Sequence, residues 1–285
     1  VRLWAVLTGL TAILTVAAIV GNIIANQYAT TINVALNAST YKIIHGENTG
    51  DTEYFKKGFA SDEEREAYEA ELCATVEAEG AALLKNENNA LPLASGAKVS
   101  LFGHGSVDLM YGGTGSGSVD TSKAPNLKQA LEAQGITINQ TLWDLYSSDS
   151  MMSKYSRMTP ASISDTLEAN TQYAVNEAPW SALSSAESSF AEYGDAAIVV
   201  LSRSGGEGAD LPSGENGTSD SWISGQEGDG NYLALSAEEI ELLQNLKALK
   251  DNGTFKNIVV LINSSNAIEL DFLNPEICGE DYGID

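Results

Sequence analysis

The segment Ala196–Ser202 reads AAIVVLS and runs directly into the glycine-rich segment Ser204–Asp210, SGGEGAD. The first of these is a continuous apolar run rich in Val and Ile, a pattern typical of a strand that is buried on both faces of a sheet. Lys98–Gly103 (KVSLFG) and Asn257–Asn263 (NIVVLIN) have the same character. Because these strands alternate with helical patterns, the sequence predicts an α/β fold with a mostly parallel sheet sandwiched between helices.

Helix start signals lie between the strands. Ser61 with Glu64, and Ser236 with Glu239, have the spacing of a capping box, in which the serine side chain bonds forward and the glutamate side chain bonds back. They predict helices that run to about residues 85 and 250. In the first helix, apolar residues recur at helical spacing between positions 68 and 83, which predicts that one face packs and that the acidic face is solvated.

A shorter helix and a second strand are predicted between these elements. Asn126–Gln134 reads as a compact helix closed by Gly135, and Ile136–Ile138 follows as a strand. Between residues 149 and 186 the chain is rich in Ser, Met and Thr with weak periodicity, and the sequence places few elements there.

The N-terminal segment is apolar enough to span a membrane. Leu3–Ile24 contains no charged residue, and Asn22 is its one strongly polar residue, whereas a spanning helix needs about 20 apolar residues. A cleaved signal peptide has a shorter apolar run and a cleavage site between small residues, and the following ANQYATTIN offers no clean site. We therefore interpret the segment as an uncleaved anchor, with a cleaved signal and a buried core helix as the alternatives.

The charge around this segment predicts the organisation of the chain. Arg2 precedes the apolar run and the acidic bulk follows it, which places the body outside the cytoplasm. The predicted domains are an anchor at 1–26, a polar extracytoplasmic stalk at 27–60 and an α/β domain at 61–285. The expected location is the cell membrane, with a single pass.

Composition excludes several classes of protein. The chain of 285 residues carries 15 Lys and Arg against 39 Asp and Glu, so its net charge of −24 opposes nucleic-acid binding. Two cysteines, Cys73 and Cys278, cannot form a disulfide framework and read as ordinary thiols. Two histidines provide little material for a metal site, and we expect neither metal nor cofactor.

Glu207 is the candidate catalytic residue. It is flanked by Gly205, Gly206 and Gly208, so little side-chain bulk shields the carboxyl group from a substrate, as a general acid/base requires. The alternative is that the glycines shape a turn and the carboxylate is merely solvated. Farther along the chain, Trp222 and Tyr232 are candidates to stack on sugar faces, or simply to pack.

A second glycine-rich loop, at positions 103–117, raises the alternative of a nucleotide site. The dinucleotide fingerprint requires G-x-G-x-x-G, but Gly103-His104-Gly105 is followed by Asp108 at the third position. The phosphate-binding motif G-x-x-x-x-G-K-[ST] does not occur in the sequence. We interpret His104 as a loop or capping residue, and a Rossmann-like or flavodoxin-like nucleotide binder remains an alternative function.

Five separate segments together resemble glycoside hydrolase family 3, in the α/β sandwich that is usually its C-terminal domain. The resemblance covers the chain from about residue 71 to the end. The segments are EGAALLKNENNALPL at 79–93, VSLFGHGS followed by GGTGSGSV at 99–119, IVVLSRSGGEGADLP at 198–212, YLALSAEEIELLQ at 232–244 and NIVVLINSSNAIEL at 257–270.

The resemblance implies a retaining β-glucosidase-like hydrolase acting on an oligosaccharide or an aryl or alkyl β-glycoside. Glu207 corresponds to the family's acid/base, and Asp210 to the Asp of its usual Asp-Arg pair, where Leu211 replaces the Arg. Asp210, from this correspondence, and Trp222, as an aromatic residue able to stack on a sugar, are the candidate substrate-binding residues. The nucleophile of the family is an Asp on a TIM barrel, which normally precedes the sandwich.

In this chain an anchor and a stalk precede the sandwich instead. The resemblance therefore implies a permuted order with the barrel downstream, and a fragment that is inactive alone. A non-catalytic, membrane-anchored carbohydrate-binding or scaffold module is the alternative, and the sugar and linkage stay open.

Overall fold

The structure, a computed structural model, describes residues 2–38, 57–113, 115, 119–157, 174–206 and 232–285. Two compact units divide the chain, residues 1–81 and residues 82–285. In its described part, the first unit contains only helices, whereas the second unit contains the sheet.

The helices of the first unit are α1 (Arg2–Gln27), α2 (Ala29–Ala35) and α3 (Asp62–Gly80). No residue of α1 is buried, and its mean hydropathy reaches 2.3 over 18 residues, so it is long and apolar enough to cross a membrane or to serve as a signal sequence. Helix α2 lies within the segment that the sequence predicts to be a stalk.

Helix α3 differs from the prediction in one capping hydrogen bond and in its packing. The Ser61 side chain accepts the N–H of Glu64 as predicted, but the Glu64 carboxylate accepts the N–H of Ala60, at 2.8 Å, in place of that of Ser61. The helix ends at Gly80 because the next residue, Ala81, is extended. None of its residues is buried, so the predicted packed face is wrong. A single amphipathic helix needs a second apolar surface to pack on.

A parallel sheet of four strands forms the centre of the second unit, in the order β2-β1-β3-β4. The strands are β1 (Lys98–Phe102), β2 (Thr137–Ile138), β3 (Ala196–Leu201) and β4 (Ile258–Ile262). In register, Val99 pairs with Ala196, and Ala197 pairs with Ile258. The carboxyl ends of β1, β3 and β4 therefore lie at one edge of the sheet.

Short helices connect the strands. The α-helices are α4 (Leu127–Ala133), α5 (Gln140–Tyr146), α6 (Asp149–Lys154), α7 (Ala237–Asp251) and α8 (Pro275–Cys278). The 3-10 helices are His104–Ser106, Trp180–Leu183, Glu187–Tyr193 and Asp271–Leu273. The predicted capping box at Ser236 is confirmed, and Asn126, where a compact helix was predicted to begin, also forms a complete capping box.

Apolar side chains cover both faces of the sheet. On one face Phe102 packs edge-on against Phe190 and Phe255, with ring centroids 5.2 and 5.7 Å apart. On the other face Leu101 and Ile198 belong to a second buried cluster. Alternate residues of a strand face opposite sides of a sheet, so the continuous apolar runs fill two cores. The predicted α/β fold is confirmed.

Candidate functional site

A cleft of about 290 Å³ lies at the carboxyl edge of the sheet. Its walls come from the segment after β1, which contributes Asp108 and Met110, from Arg157, and from Ser204 and Gly205 directly after β3. Parallel α/β sheets bind ligands at this edge, because the loops that follow several strands converge there. The cleft is therefore the candidate active site.

Two glycines let the segment after β1 cross close to β3. Gly103 has φ +83°, and a Cβ atom there would lie 2.7 Å from the carbonyl oxygen of Val200. At Gly105 a Cβ atom would lie 2.6 Å from Oγ of Ser202. Both distances are too short for a side chain. The path of this cleft wall therefore requires glycine at position 103, and a side chain at position 105 would require Ser202 to shift.

The end of β4 holds the same wall in place. Asn263 accepts the N–H of Met110 at 2.5 Å and donates to its carbonyl oxygen at 3.0 Å, so that one amide side chain satisfies both backbone groups. The hydroxyl of Ser265 accepts the N–H of Gly205 at 3.0 Å. Contacts from the residues that follow β4 thus fix both the wall after β1 and the residues after β3.

Asp108 is the acidic group of the cleft. Its Oδ2 atom lies 3.2 Å from Nε2 of His104 and 3.0 Å from Nη2 of Arg157. Burial favours a higher pKa for the Asp108 carboxyl, but the hydrogen bond from His104 and the positive charge of Arg157 outweigh it and hold the pKa below its usual value. Asp108 therefore presents a carboxylate to the cleft at neutral pH.

The imidazole of His104 lies between two polar partners. Nε2 accepts the backbone N–H of Arg157 at 3.2 Å, and the same atom approaches Asp108. An unprotonated Nε2 suits the first contact and a protonated Nε2 suits the second. His104 is buried and begins the 3-10 helix His104–Ser106, so its predicted role as a loop residue agrees with its position.

Glu177 is a buried carboxyl group behind the cleft wall. It accepts the N–H of His104 at 2.7 Å and that of Ala178 at 2.9 Å. Burial raises its pKa to about 7, although the charge of His104 and the two N–H groups act in the opposite direction. The sequence signal for this residue is weak, because Glu177 lies in the region where periodicity predicts little.

Arg203 and Glu239 form a buried ion pair beside the cleft. Both guanidinium nitrogens Nη1 and Nη2 donate to the carboxylate, at 2.9 and 2.7 Å, and the Arg203 side chain is fully buried. The sequence shows Glu239 as part of a capping box, but its pairing with a residue on another element has no local signal. Sequence reasoning missed this pair.

The predicted site residues lie mostly outside the described part of the chain. Glu207, Asp210 and Trp222 all fall within residues 207–231, which the structure does not describe. Gly205 lines the cleft two positions before Glu207. Tyr232 is buried with its hydroxyl bonded to Ser204, which agrees with the alternative that this ring packs inside the protein.

Metal binding has no support in the described residues. Within that part of the chain, no group of three or more His, Cys, Asp or Glu side chains converges on a common point.

Known proteins match most of the second unit. The family described as Glycosyl hydrolase family 3 C-terminal domain matches residues 81–279. Beta-glucosidase A from Butyrivibrio fibrisolvens is 34% identical over 146 residues, which are 49% of this chain and 15% of that protein. The chain thus spans a small part of this relative's length.

Solved structures show the same fold. A β-glucosidase from Paenibacillus barengoltzii superposes with a TM-score of 0.53 and 25% identity, over 74% of this chain and 20% of that one. β-Glucosidase 3B from Thermotoga neapolitana, in complex with glucose, gives a TM-score of 0.50 at 23% identity, over 73% of this chain and 26% of that one.

Proposed function

The chain belongs to the glycosyl hydrolase family 3 C-terminal domain family, and from this membership we propose that it supplies the acid/base of a retaining β-glucosidase-like hydrolase. Glu207 is the acid/base in this proposal, and Asp210 and Trp222 contact the substrate. The substrate is an oligosaccharide or an aryl or alkyl β-glycoside. The nucleophile, an Asp, belongs to a TIM-barrel domain downstream in a longer polypeptide. Residues 1–285 alone are then inactive.

The observation that carries this proposal is the position of Gly205. It lies at the carboxyl end of β3 and lines the cleft, and Glu207 follows it by two positions in the S-G-G-E-G segment. Active sites of parallel α/β sheets lie at this edge. Asp108, with its lowered pKa, adds a carboxylate to the same cleft and can accept a hydrogen bond from a sugar hydroxyl.

The proposed reaction is a double displacement. The Glu207 carboxylic acid protonates the glycosidic oxygen as the aglycone leaves, while the nucleophilic carboxylate attacks the anomeric carbon and forms a glycosyl ester. The Glu207 carboxylate then removes a proton from water, which attacks the anomeric carbon and releases the sugar. Retention requires the two carboxyl groups to lie about 5–5.5 Å apart, so Glu207 must face the neighbouring domain.

The substitution Glu207→Gln in the full-length gene product tests the proposal. The value of kcat/KM reports the first step alone, in which the leaving group is protonated. We expect kcat/KM to fall by about 10²–10⁴-fold for an alkyl β-glucoside, whose leaving group needs a proton. For a dinitrophenyl β-glucoside, which leaves as a stabilised anion, kcat/KM should stay close to that of the wild type.

A matched variant controls for the loss of charge. Glu276 is exposed on α8 and is distant in sequence from the cleft residues. The variant Glu276→Gln should therefore keep the kcat/KM of the wild type for both substrates. If kcat/KM of Glu207→Gln fell equally for the two substrates, Glu207 would have another role. Full activity of that variant on both would exclude Glu207 as the acid/base, whereas no activity of the wild type on either substrate would favour the non-catalytic carbohydrate-binding module.

The membrane arrangement is also a proposal. Anchor, stalk and α/β domain occupy residues 1–26, 27–60 and 61–285, and the body lies outside the cytoplasm after a single pass through the cell membrane. Support comes from the length and apolar character of α1 and from the basic residue Arg2 at its N-terminal end.

A further inference from the structure

The cleft at the carboxyl edge of the sheet contains an ion pair that uses only part of its hydrogen-bonding capacity. Asp108 and Arg157 both line this cleft, and Nη2 of Arg157 lies 3.0 Å from Oδ2 of Asp108. Both residues are partly exposed. The two charged groups are therefore accessible to a ligand while they remain bonded to each other.

The Asp108 carboxylate makes both of its contacts through one oxygen atom. Oδ2 meets Nη2 of Arg157 and Nε2 of His104, whereas Oδ1 has no hydrogen-bond partner among the residues that the structure describes. His104 is buried, so its contact restrains the orientation of the carboxylate. The lone pairs of Oδ1 can accept a hydroxyl group of a ligand.

Backbone carbonyl groups hold the guanidinium group of Arg157 in place. Nη1 donates to the carbonyl oxygen of Asp108 at 2.6 Å, and Nη2 donates to that of Leu109 at 3.4 Å. A guanidinium group carries five N–H donors. Within the described part of the chain, the N–H of Nε and one N–H of Nη1 have no acceptor. The ion pair thus combines an unused acceptor with unused donors.

The charges of this pair favour an uncharged ligand with hydroxyl groups. The carboxylate and the guanidinium group neutralise each other, and the net charge of −24 on the chain repels an anion such as a sugar phosphate. A hydroxyl group both donates and accepts hydrogen bonds. Two hydroxyl groups on neighbouring ring carbons lie side by side, as the two charged groups of the cleft do.

The size and the walls of the cleft suit a single sugar residue. Its volume of about 290 Å³ lies at the lower end of the range for ligand sites, roughly 300–1,000 Å³. Tyr111 lines the cleft and is exposed, and its hydroxyl donates to the carbonyl oxygen of Pro125 at 2.9 Å, which restrains the ring. The faces of an aromatic ring carry partial negative charge, which suits the C–H groups of a sugar.

We propose that Asp108 and Arg157 are specificity-determining residues, which bind two adjacent ring hydroxyl groups of one uncharged sugar residue in the cleft. The Asp108 carboxylate accepts a hydrogen bond from one hydroxyl, and the Arg157 guanidinium group donates to the next. This inference rests on the proposed function for the identity of the ligand as a sugar.

Binding of methyl β-D-glucopyranoside and its monodeoxy analogues to the chain of 285 residues tests this inference. The chain is kept in a zwitterionic detergent that contains no sugar, and ligand-observed NMR titrations give the dissociation constants. A site that bonds a hydroxyl group rejects an analogue that lacks it. We expect the 3-deoxy analogue to bind at least about tenfold more weakly than the parent, because every pair of adjacent ring hydroxyls includes position 3.

The remaining analogues identify the second hydroxyl group. Either the 2-deoxy or the 4-deoxy analogue, but not both, should show the same loss of affinity as the 3-deoxy analogue. The 6-deoxy analogue lacks a hydroxyl outside the ring and should bind within about threefold of the parent. This pattern needs no variant, so it decides the question even if a substituted chain does not fold.

Two substitutions assign the two hydroxyl groups to their partners. Asp108→Asn removes the carboxylate, and Arg157→Lys removes the planar group with its several donors. Each should weaken binding of the parent by about tenfold, and each should become insensitive to the loss of the one hydroxyl that its residue binds.

Asp195→Asn is the matched control. Asp195 is also paired with a cation, Lys256, but it directly precedes β3 and so lies at the opposite edge of the sheet from the cleft. This variant should keep the dissociation constants of the wild type for the parent and for every analogue.

The outcomes separate this inference from the proposed function. Absence of binding, equal affinities for all analogues, tighter binding of glucose 6-phosphate, or the wild-type pattern in both cleft variants overturns the assignment of Asp108 and Arg157. A selective loss in Glu207→Gln would then still retain the proposed function. If the hydroxyl pattern holds and Glu207→Gln loses activity equally on both glucosides, the cleft binds a sugar and the assignment of the acid/base is overturned.

Discussion

The stability of the cleft wall is linked to the protonation of Glu177, which is a buried carboxyl group. Its carboxylate accepts the N–H of His104 at the start of the segment after β1, and its pKa is raised to about 7 by burial. An unfolded chain releases this proton near the ordinary pKa of 4.5. Between these two values the folded state binds the proton and the unfolded state does not.

The sign of the pH effect follows from this difference. The contribution of Glu177 to the free energy of unfolding is fully present below the pKa of its carboxyl group in the unfolded chain. This contribution is lost as the pH rises through the pKa of the same group in the folded chain. A difference of two to three pKa units corresponds to about 3 kcal/mol. We expect the stability advantage of the wild type over Glu177→Gln to shrink by about this amount between pH 4.5 and 7.5, measured by urea unfolding of the detergent-solubilised chain.

A neighbouring substitution serves as the control for Glu177→Gln. Tyr146→Phe removes the hydroxyl that accepts the N–H of Gly103 at 3.2 Å in the same buried region. It should lower stability by about 1–3 kcal/mol at every pH in this range, because the tyrosine hydroxyl, whose pKa is raised further by burial, stays protonated. Identical pH profiles for wild type and Glu177→Gln would show that the Glu177 proton is not linked to folding.

At the scale of elements, the turn that leads from β1 into the cleft wall depends on a close backbone approach. Gly103 has φ +83° and a Cβ atom there would meet the carbonyl oxygen of Val200, whereas Gly135 has φ +79° and no atom within 4 Å of the same position. The two glycines thus share their conformation and differ in their surroundings.

We expect Gly103→Ala to destabilise the chain more than Gly135→Ala. Both variants incur the cost of a left-handed conformation, about 1–2 kcal/mol, and Gly103→Ala adds about 1–3 kcal/mol of overpacking against β3. Urea unfolding of both variants measures the difference. Equal destabilisation of the two would mean that β3 moves aside and that the close approach does not constrain the wall.

The elements that follow local rules were predictable from the sequence. The strands of KVSLFG and NIVVLIN, and the capping box of α7, depend on neighbouring residues, and the structure confirms them. Helices α5 and α6 are capped by Asn139 and Ser148, but they are too short to show a recognisable apolar periodicity.

The parts of the site that depend on tertiary contacts were not predictable. The Arg203–Glu239 pair joins residues 36 positions apart, and the burial that raises the pKa of Glu177 comes from packing around its side chain. For the sequence-predicted residues Glu207, Asp210 and Trp222, which lie outside the described ranges, the roles remain predictions.

At the scale of the whole molecule, charge and hydropathy are unevenly distributed along the chain. Helix α1 has no acidic residue, while the chain as a whole carries 39 Asp and Glu. Arg2 lies at the N-terminal end of this helix, and the tendency of basic residues to stay on the cytoplasmic side supports the proposed arrangement, in which the N-terminus stays in the cytoplasm and the remainder is exported.

Membrane association of the chain can be tested by interrupting α1. We expect the unaltered chain to float with phosphatidylcholine vesicles and to resist extraction at alkaline pH. Leu10→Lys combined with Leu14→Lys should abolish both properties, because each lysine at the centre of a spanning helix costs about 2.5–3.5 kcal/mol. Leu10→Ile combined with Leu14→Ile is the matched control and should behave like the unaltered chain. The mass of the mature product then separates the two interpretations of α1: an intact N-terminus supports the anchor, and loss of the apolar segment identifies a cleaved signal.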